Sequence, residues 1–129
     1  MRFIPTRFHG VLDYVVGLIF ILAPWLFGFS DVGAATWTIV AAGIIVLVQT
    51  VFTDFEVGLV HKIPMRTHLM LDFVLGLILA FSPWIFSFDE RVFMPHLVGG
   101  VFAILASITT HRVPSHNYTR IHATQRTKH

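Results

Sequence analysis

The sequence has no cysteine among its 129 residues. This absence excludes a disulfide framework, a thiol nucleophile and an iron–sulfur cluster held by cysteines. Charged residues are also scarce, at 12% of the chain, against roughly a quarter in a typical soluble domain. Hydrophobic residues make up 55%, an excess that a globule of this size cannot bury. We therefore expect lipid, rather than water, to surround most of the chain.

The motifs of the common enzyme classes are absent as well. The sequence has no glycine-rich phosphate loop, no serine nucleophile beside a plausible base, and no His-Glu-x-x-His metal motif. Its basic residues form no folded patch of the kind that binds nucleic acid. We predict that the protein is not an enzyme and that it has no nucleic-acid partner.

The most informative feature that is present is a duplication. Residues 4–29 align with residues 63–88 without a gap, and 14 of the 26 aligned positions are identical. The identical positions include every residue type that is rare in an apolar segment: Pro5/Pro64, Arg7/Arg66, His9/His68, Asp13/Asp72, Gly17/Gly76, Pro24/Pro83 and Trp25/Trp84. Because chance does not produce such a pattern, the chain is predicted to contain two copies of one unit.

Apolar segments about as long as a bilayer is thick predict four transmembrane helices. Their approximate bounds are 11–29, 36–53, 67–88 and 92–110. The predicted organisation is a first repeat at 1–53, a linker at 54–66, a second repeat at 67–110 and a basic tail at 111–129. The expected fold is an all-α membrane protein of two parallel-repeat helical hairpins, related by a pseudo-twofold axis along the membrane normal.

The distribution of basic residues predicts the orientation of these helices. The two terminal segments and the linker hold eight of the nine lysines and arginines, whereas the opposite side holds only Arg91 against three acidic residues. By the positive-inside rule, both termini are cytoplasmic. We expect a multi-pass protein of the bacterial inner membrane. Its expected partners are lipid, further copies of the chain or a larger membrane complex.

A polar pair recurs near the start of the first helix in each copy. His9 and Asp13 are four residues apart and share one helix face, and His68 and Asp72 repeat this spacing. Under the expected symmetry both pairs lie at one depth, near the cytoplasmic boundary. A carboxylate costs about 2.5–3.5 kcal/mol at the bilayer centre and less near the interface, so each aspartate is expected to have a partner.

Three interpretations of these pairs are open. In the first, each aspartate pairs with Arg7 or Arg66, with a histidine or with backbone donors, and clamps the helix ends. In the second, the four side chains bind a metal ion, or the two histidines ligate a haem. In the third, the aspartates and histidines form a proton or ion path. The first interpretation leads, and it predicts a structural or accessory role without a cofactor.

The other repeated signature is a Pro–Trp pair at the end of the first helix of each copy. It occurs as Ala23-Pro24-Trp25 and again as Ser82-Pro83-Trp84. Proline lacks an N–H group and therefore bends or ends a helix. The tryptophans, with the phenylalanines around them, are expected to form an aromatic belt at the outer membrane interface.

Ser-Pro-Trp at the end of the first of two transmembrane helices, present in duplicate, resembles the SPW-repeat family of small bacterial integral membrane proteins. The resemblance covers residues 4–110. It implies a duplicated helix-pair fold and a membrane location, and it implies no particular activity. Ala23 departs from the family's serine, so Pro–Trp is the element that both copies share.

Overall fold

The computed structural model describes residues 1–114, which form four α-helices. Helix α1 spans Thr6–Leu26, α2 spans Gly33–Val51, α3 spans Met65–Ile85 and α4 spans Met94–Thr109. Extended pairing within residues 1–114 is limited to two isolated β-bridges. The prediction of an all-α fold is confirmed. Most of the predicted tail, from residue 115 onwards, lies outside the described residues.

Helices α1, α2 and α3 are each long and apolar enough to cross a membrane, with hydropathies of 1.7, 1.9 and 1.7. Helix α4 is equally apolar in character but has 16 residues, roughly 24 Å at 1.5 Å per residue. Large hydrophobic side chains such as Leu18, Ile44 and Val74 are exposed along the helices. Lipid-facing surface of this kind identifies the chain as a membrane protein.

The first helix of each repeat begins directly after a proline. Pro5 and Pro64 are the N-cap residues, with extended φ/ψ angles of −62°/144° and −61°/147°. Helix α1 therefore begins before the apolar segment predicted from residue 11, and α3 begins before residue 67. The difference arises because His9 and His68, within these polar starts, are buried inside the bundle instead of lying in a loop.

Helices α1 and α3 also end in the same way. Gly28 and Ser87, which are equivalent positions of the two repeats, have positive φ angles of 73° and 57°. The following amide of Phe29 donates a hydrogen bond to the carbonyl oxygen of Pro24 at 2.8 Å, and Phe88 makes the equivalent bond in α3. This is the Schellman helix ending, and it directs both phenylalanines into the core.

The two helices of each hairpin cross at a pair of facing glycines. A Cβ atom on Gly43 would lie 2.6 Å from the carbonyl oxygen of Gly17, and one on Gly100 would lie 2.5 Å from that of Gly76. Small residues allow helix backbones to approach closely in lipid, where packing replaces the hydrophobic drive. The two hairpins are therefore closed by equivalent contacts.

The repeats are joined at the end of the bundle where α1 and α3 begin. Ile4, before α1, forms a parallel bridge with Thr110 at the end of α4, and Thr53 at the end of α2 forms one with Ile63 before α3. Each bridge links one repeat to the other. Because the two bridges are equivalent, the hairpins are related by an approximate twofold axis. The bridges also lie at the end of the bundle that holds the polar residues described next.

Candidate functional site

The starts of α1 and α3 bring four polar side chains together inside the bundle. His9, Asp13, His68 and Asp72 are buried, with exposed fractions of 1%, 9%, 0% and 3%. One ligand atom from each of the four lies within 4.8 Å of the others. We call this group the His–Asp cluster. The sequence predicts that the two His–Asp pairs lie at one depth in the bundle, and the structure brings them into a single group.

Each carboxylate of the cluster contacts both histidines. The Oδ2 atom of Asp13 lies 2.7 Å from Nε2 of His68 and 3.2 Å from Nε2 of His9. The Oδ2 atom of Asp72 lies 2.9 Å from Nε2 of His9 and 3.1 Å from Nε2 of His68. In both cases the shorter contact joins the two repeats. The cluster is therefore a link between hairpins and not two separate pairs along single helices.

A threonine holds the other nitrogen of each imidazole ring. Nδ1 of His9 lies 2.7 Å from Oγ1 of Thr110, and Nδ1 of His68 lies 2.7 Å from Oγ1 of Thr53. Each threonine hydroxyl donates its own proton to the carbonyl four residues earlier. Because that proton is already used, the threonine oxygen accepts from a protonated Nδ1. The network thus assigns the Nδ1–H position and leaves Nε2 facing the carboxylates.

Helix α2 supplies further polar contacts to the carboxylates. The amide nitrogen of Gln49 donates to Oδ1 of Asp72, and the hydroxyl of Thr50 lies 3.3 Å from Oδ2 of Asp13. Ala106 stands in α4 where Gln49 stands in α2, so this part of the environment is not duplicated. The surroundings of the cluster are therefore only approximately symmetric.

The arginines named in the sequence analysis are not part of the cluster. Arg7 and Arg66 are exposed at the helix starts. Within residues 1–114, the ion pairs of Asp13 and Asp72 are made with the two histidines. Of the alternative partners that the clamp interpretation allowed, the structure brings the histidines to the aspartates.

The charge of the cluster limits what it can hold. Two ionised carboxylates in a buried site require about two compensating positive charges, since an unpaired buried charge is strongly unfavourable. Two protons on the Nε2 atoms would supply them, and so would one divalent cation in their place. The contacts of 2.7–3.2 Å between ligand atoms approach the ligand–ligand spacing of roughly 3.3 Å in a tetrahedral site with 2.0 Å bonds.

A haem does not fit this arrangement. The carboxylate oxygens of Asp13 and Asp72 contact the Nε2 atoms of both histidines. They therefore occupy the space in which a macrocycle ligated by both rings would have to lie. The two rings are also set edge to face, with centroids 5.4 Å apart.

The Pro–Trp signature lies at the opposite end of α1 and α3. Proline at 83 cannot donate to the carbonyl of Leu79, and the hydroxyl of Ser82 donates to that carbonyl instead, at 2.6 Å. Ala23 has no hydroxyl for the equivalent bond in α1. Trp25 and Trp84 are exposed by 61% and 49%, as an interfacial anchor requires.

A second buried histidine site was not identified from the sequence. His96 of α4 is fully buried, and its Nε2 donates to the carbonyl oxygen of Ala35 at 2.8 Å. Its ring packs against Phe29 and Phe88. Its equivalent in α2 is Ile39, so the duplication gave no signal for it. His96 joins the two hairpins at the end opposite the His–Asp cluster.

Comparisons with known proteins identify the family. The family model of the SPW repeat domain matches residues 7–110, which include nearly all of the four helices, the His–Asp cluster and both Pro–Trp pairs. Searches of curated proteins and of solved structures gave no match. The family model covers most of the chain, and the protein therefore belongs to the SPW repeat family.

Proposed function

We propose that the protein is a structural or accessory component of the bacterial inner membrane, in which the His–Asp cluster clamps the two hairpins into one unit. The observation that carries this proposal is the reciprocal pairing of His9 with Asp72 and of His68 with Asp13. Packing is much closer within each hairpin than between them. A buried polar link between the hairpins therefore adds to the apolar core that they share.

Spin labels test the clamp directly, because the chain has no cysteine of its own. Leu18→Cys and Leu77→Cys place labels at exposed, equivalent positions of α1 and α3. We expect Asp72→Asn to broaden and lengthen the measured distance, since breaking a buried charged pair costs about 3–5 kcal/mol. The control Asp31→Asn removes a carboxylate whose partner Arg91 is exposed, and it should leave the distance unchanged. An identical narrow distance in both variants would refute the clamp.

The proposed topology has all four helices crossing the membrane, with both termini in the cytoplasm and the pseudo-twofold axis along the membrane normal. The positive-inside rule supports this orientation, because Arg91 is the sole lysine or arginine on the other side. There its guanidinium pairs with Asp31 at 2.7 Å. Reporter fusions after residue 129 and in the loop at residue 31 should report opposite sides. A C-terminal reporter found outside would overturn the orientation.

A divalent metal site is the second candidate function of the cluster. The observation that favours it is the convergence of four buried ligand atoms from histidines whose Nδ1–H groups are oriented by threonine. A metal-bound histidine almost always donates its other N–H to such an outer partner. Two imidazoles and two carboxylates would suit zinc or a neighbouring divalent metal and would neutralise its charge.

Metal analysis of the full chain, purified without a histidine tag, separates this candidate from the clamp. If the cluster is a metal site, zinc and cobalt(II) should each bind at one ion per chain, and cobalt should give the visible spectrum of tetrahedral coordination. His9→Gln with His68→Gln should abolish binding. His61→Gln with His111→Gln removes two histidines at the same end of the bundle and should retain it. Equal binding by both double variants, or none by the native chain, would reject the metal site and leave the clamp standing.

An ion path is the interpretation that the structure favours least. His96 in α4 and Thr110, the residue after α4, are 14 residues apart, roughly 20 Å along the helix. The core between the two ends contains apolar side chains, including Phe20, Ile39 and Leu79. Among the described residues, the His–Asp cluster is therefore not continued by a polar chain towards the other end of the bundle.

A further inference from the structure

A groove with an unusual combination of side chains lies beside the cluster, between the start of α3 and the end of α4. It encloses about 290 Å³. Within residues 1–114, its walls combine apolar side chains with three cations and one hydroxyl residue: Leu69, Met70, Phe73, Ile108, Arg2, Arg66, Arg112 and Ser107. We call it the arginine groove. A cationic rim above an apolar wall is the pattern of a site for an amphipathic anion.

The three arginines come from separate parts of the chain and line the same groove. Arg2 is fixed across the end of α4, where its guanidinium donates to the carbonyl oxygens of Ser107 and Thr110 at 2.9 and 2.7 Å. Burial lowers the pKa of Arg2, and the nearby charge of Arg112 lowers it further. Among residues 1–114, those that line the groove include no carboxylate. The fold therefore concentrates positive charge at this point.

Acidic residues near the groove do not remove this excess. Arg66 and Arg112 also line an adjoining pocket that contains Lys62 and Asp54. The carboxylate of Asp54 is shared with His61, which lies 2.9 Å away. The sequence beyond residue 114 contains three further lysines and arginines and no aspartate or glutamate. The net charge of that part of the sequence is therefore positive.

In the first repeat, the position equivalent to the arginine groove is covered by the linker. At the start of α1 the linker folds back over the helix, so that a Cβ on Gly10 would clash with Phe55 and Val57. Phe55 is fully buried, and the hydroxyl of Tyr14 donates to the carbonyl oxygen of Val57 at 2.9 Å. The groove of the first repeat is thereby closed by apolar side chains of the linker.

The second repeat has different residues at the equivalent positions. Leu69 replaces Gly10, Phe73 replaces Tyr14, and Arg112 stands where Phe55 stands in the first repeat. Leu69 is buried and belongs to the same apolar cluster as Met65 and Phe55. The chain beyond α4 contributes a guanidinium where the linker contributes a phenyl ring. The duplicated fold has thus replaced an apolar cover with a cationic rim.

We propose that the arginine groove binds the headgroup of an anionic phospholipid, with an acyl chain lying along Met70 and Phe73. Phosphate oxygens match the fixed donors of guanidinium groups. The apolar wall continues onto the lipid-facing surface of α3, where Met70 and Phe73 are exposed. A phospholipid satisfies both halves of the groove at once, which a soluble anion does not. This proposal is independent of the role of the His–Asp cluster.

Native mass spectrometry of the full chain, with added phosphatidylglycerol or phosphatidylcholine, tests the proposal. The native protein should retain phosphatidylglycerol and release phosphatidylcholine. Arg66→Gln with Arg112→Gln should weaken phosphatidylglycerol binding by about 30-fold, the equivalent of about 2 kcal/mol for two arginines near an anionic lipid. Arg7→Gln is the matched control, since Arg7 is the repeat equivalent of Arg66 and does not line the groove.

The control and a competition experiment decide among the alternatives. If Arg7→Gln weakens binding as much as Arg66→Gln alone, the effect is general surface charge and the site is refuted. Equal retention of phosphatidylcholine would also refute it. Inorganic phosphate at millimolar concentration should not displace the lipid. Displacement by phosphate alone would show a site for the free anion and would overturn the assignment to phospholipid.

Discussion

The carboxylate of Asp13 lies closer to His68 of the other repeat, at 2.7 Å, than to His9 on its own helix, at 3.2 Å. Asp72 shows the same preference for His9 over His68. A single repeat therefore does not complete its own polar contacts. Each half carries a histidine and an aspartate whose closest partners belong to the other half, which makes the two copies dependent on one another.

The orientation of the histidines leads to a first prediction. Thr53→Val removes the acceptor of the Nδ1–H group of His68 while preserving side-chain shape. We expect this variant to be less stable by about 1–3 kcal/mol, because the buried N–H loses its partner. Thermal unfolding in detergent measures the difference.

The chain offers a matched control for this substitution. Thr38 makes the same bond to the carbonyl four residues earlier, Ala34, but on an exposed helix face and without a histidine. Thr38→Val should change stability by less than about 0.5 kcal/mol. Equal losses in Thr38→Val and Thr53→Val would show that the hydroxyl acts only within its own helix.

The composition of the His–Asp cluster could be predicted from the sequence, but its pairing could not. Duplication singled out His9, Asp13, His68 and Asp72, because charged and imidazole groups are rare in apolar segments. Their four-residue spacing shows only that each pair shares a helix face. Which helix lies opposite depends on the approach of α1 to α3, and the contacts that set this distance are spread over the whole bundle.

The side chains that contact the His–Asp cluster could not be predicted from the sequence either. Thr53 and Thr110 align in the two copies, but a threonine near the end of an apolar segment does not by itself indicate a histidine partner. Their role at the Nδ1 atoms depends on a backbone bridge that brings each helix end to the other repeat. Arg7 and Arg66 were plausible partners by charge. Because both helices begin before these residues, at Thr6 and Met65, the arginines lie on exposed helix faces and the histidines on buried ones.

The serine of the Pro–Trp signature leads to a second prediction. Ser82→Ala leaves the carbonyl of Leu79 without the hydroxyl that replaces the missing proline N–H. A loss of about 1 kcal/mol is expected from thermal unfolding, the usual value of one hydrogen bond. Ala23→Ser introduces the hydroxyl into α1, where the carbonyl of Phe20 is equivalent, and should stabilise the protein. A stabilised Ser82→Ala variant would show that this hydroxyl is not needed.

The helix endings allow a third prediction. Ser87 has a φ of 57° and Gly28 a φ of 73° at the equivalent turn. A left-handed conformation costs a residue with a Cβ roughly 1–2 kcal/mol, while glycine adds about 0.5–1 kcal/mol of unfolded-chain entropy. Ser87→Gly should therefore stabilise the protein by about 0.5–1 kcal/mol, and Gly28→Ser should destabilise it. Chemical or thermal unfolding of both variants checks the opposite signs.

The glycine crossings lead to a fourth prediction, which tests the packing of the hairpins. A Cβ on Gly100 would lie 2.5 Å from both the amide nitrogen of Ala80 and the carbonyl oxygen of Gly76. Both atoms belong to the backbone, so α3 and α4 would have to separate.

Gly100→Ala should lower stability by about 1–3 kcal/mol, as overpacking does. At Gly33, the first residue of α2, no described atom lies within 4 Å of an added Cβ. Gly33→Ala should leave stability unchanged or raise it slightly, because alanine has the higher helix propensity. If both variants unfold at the same temperature, the two helices are not held at the close approach that these glycines permit.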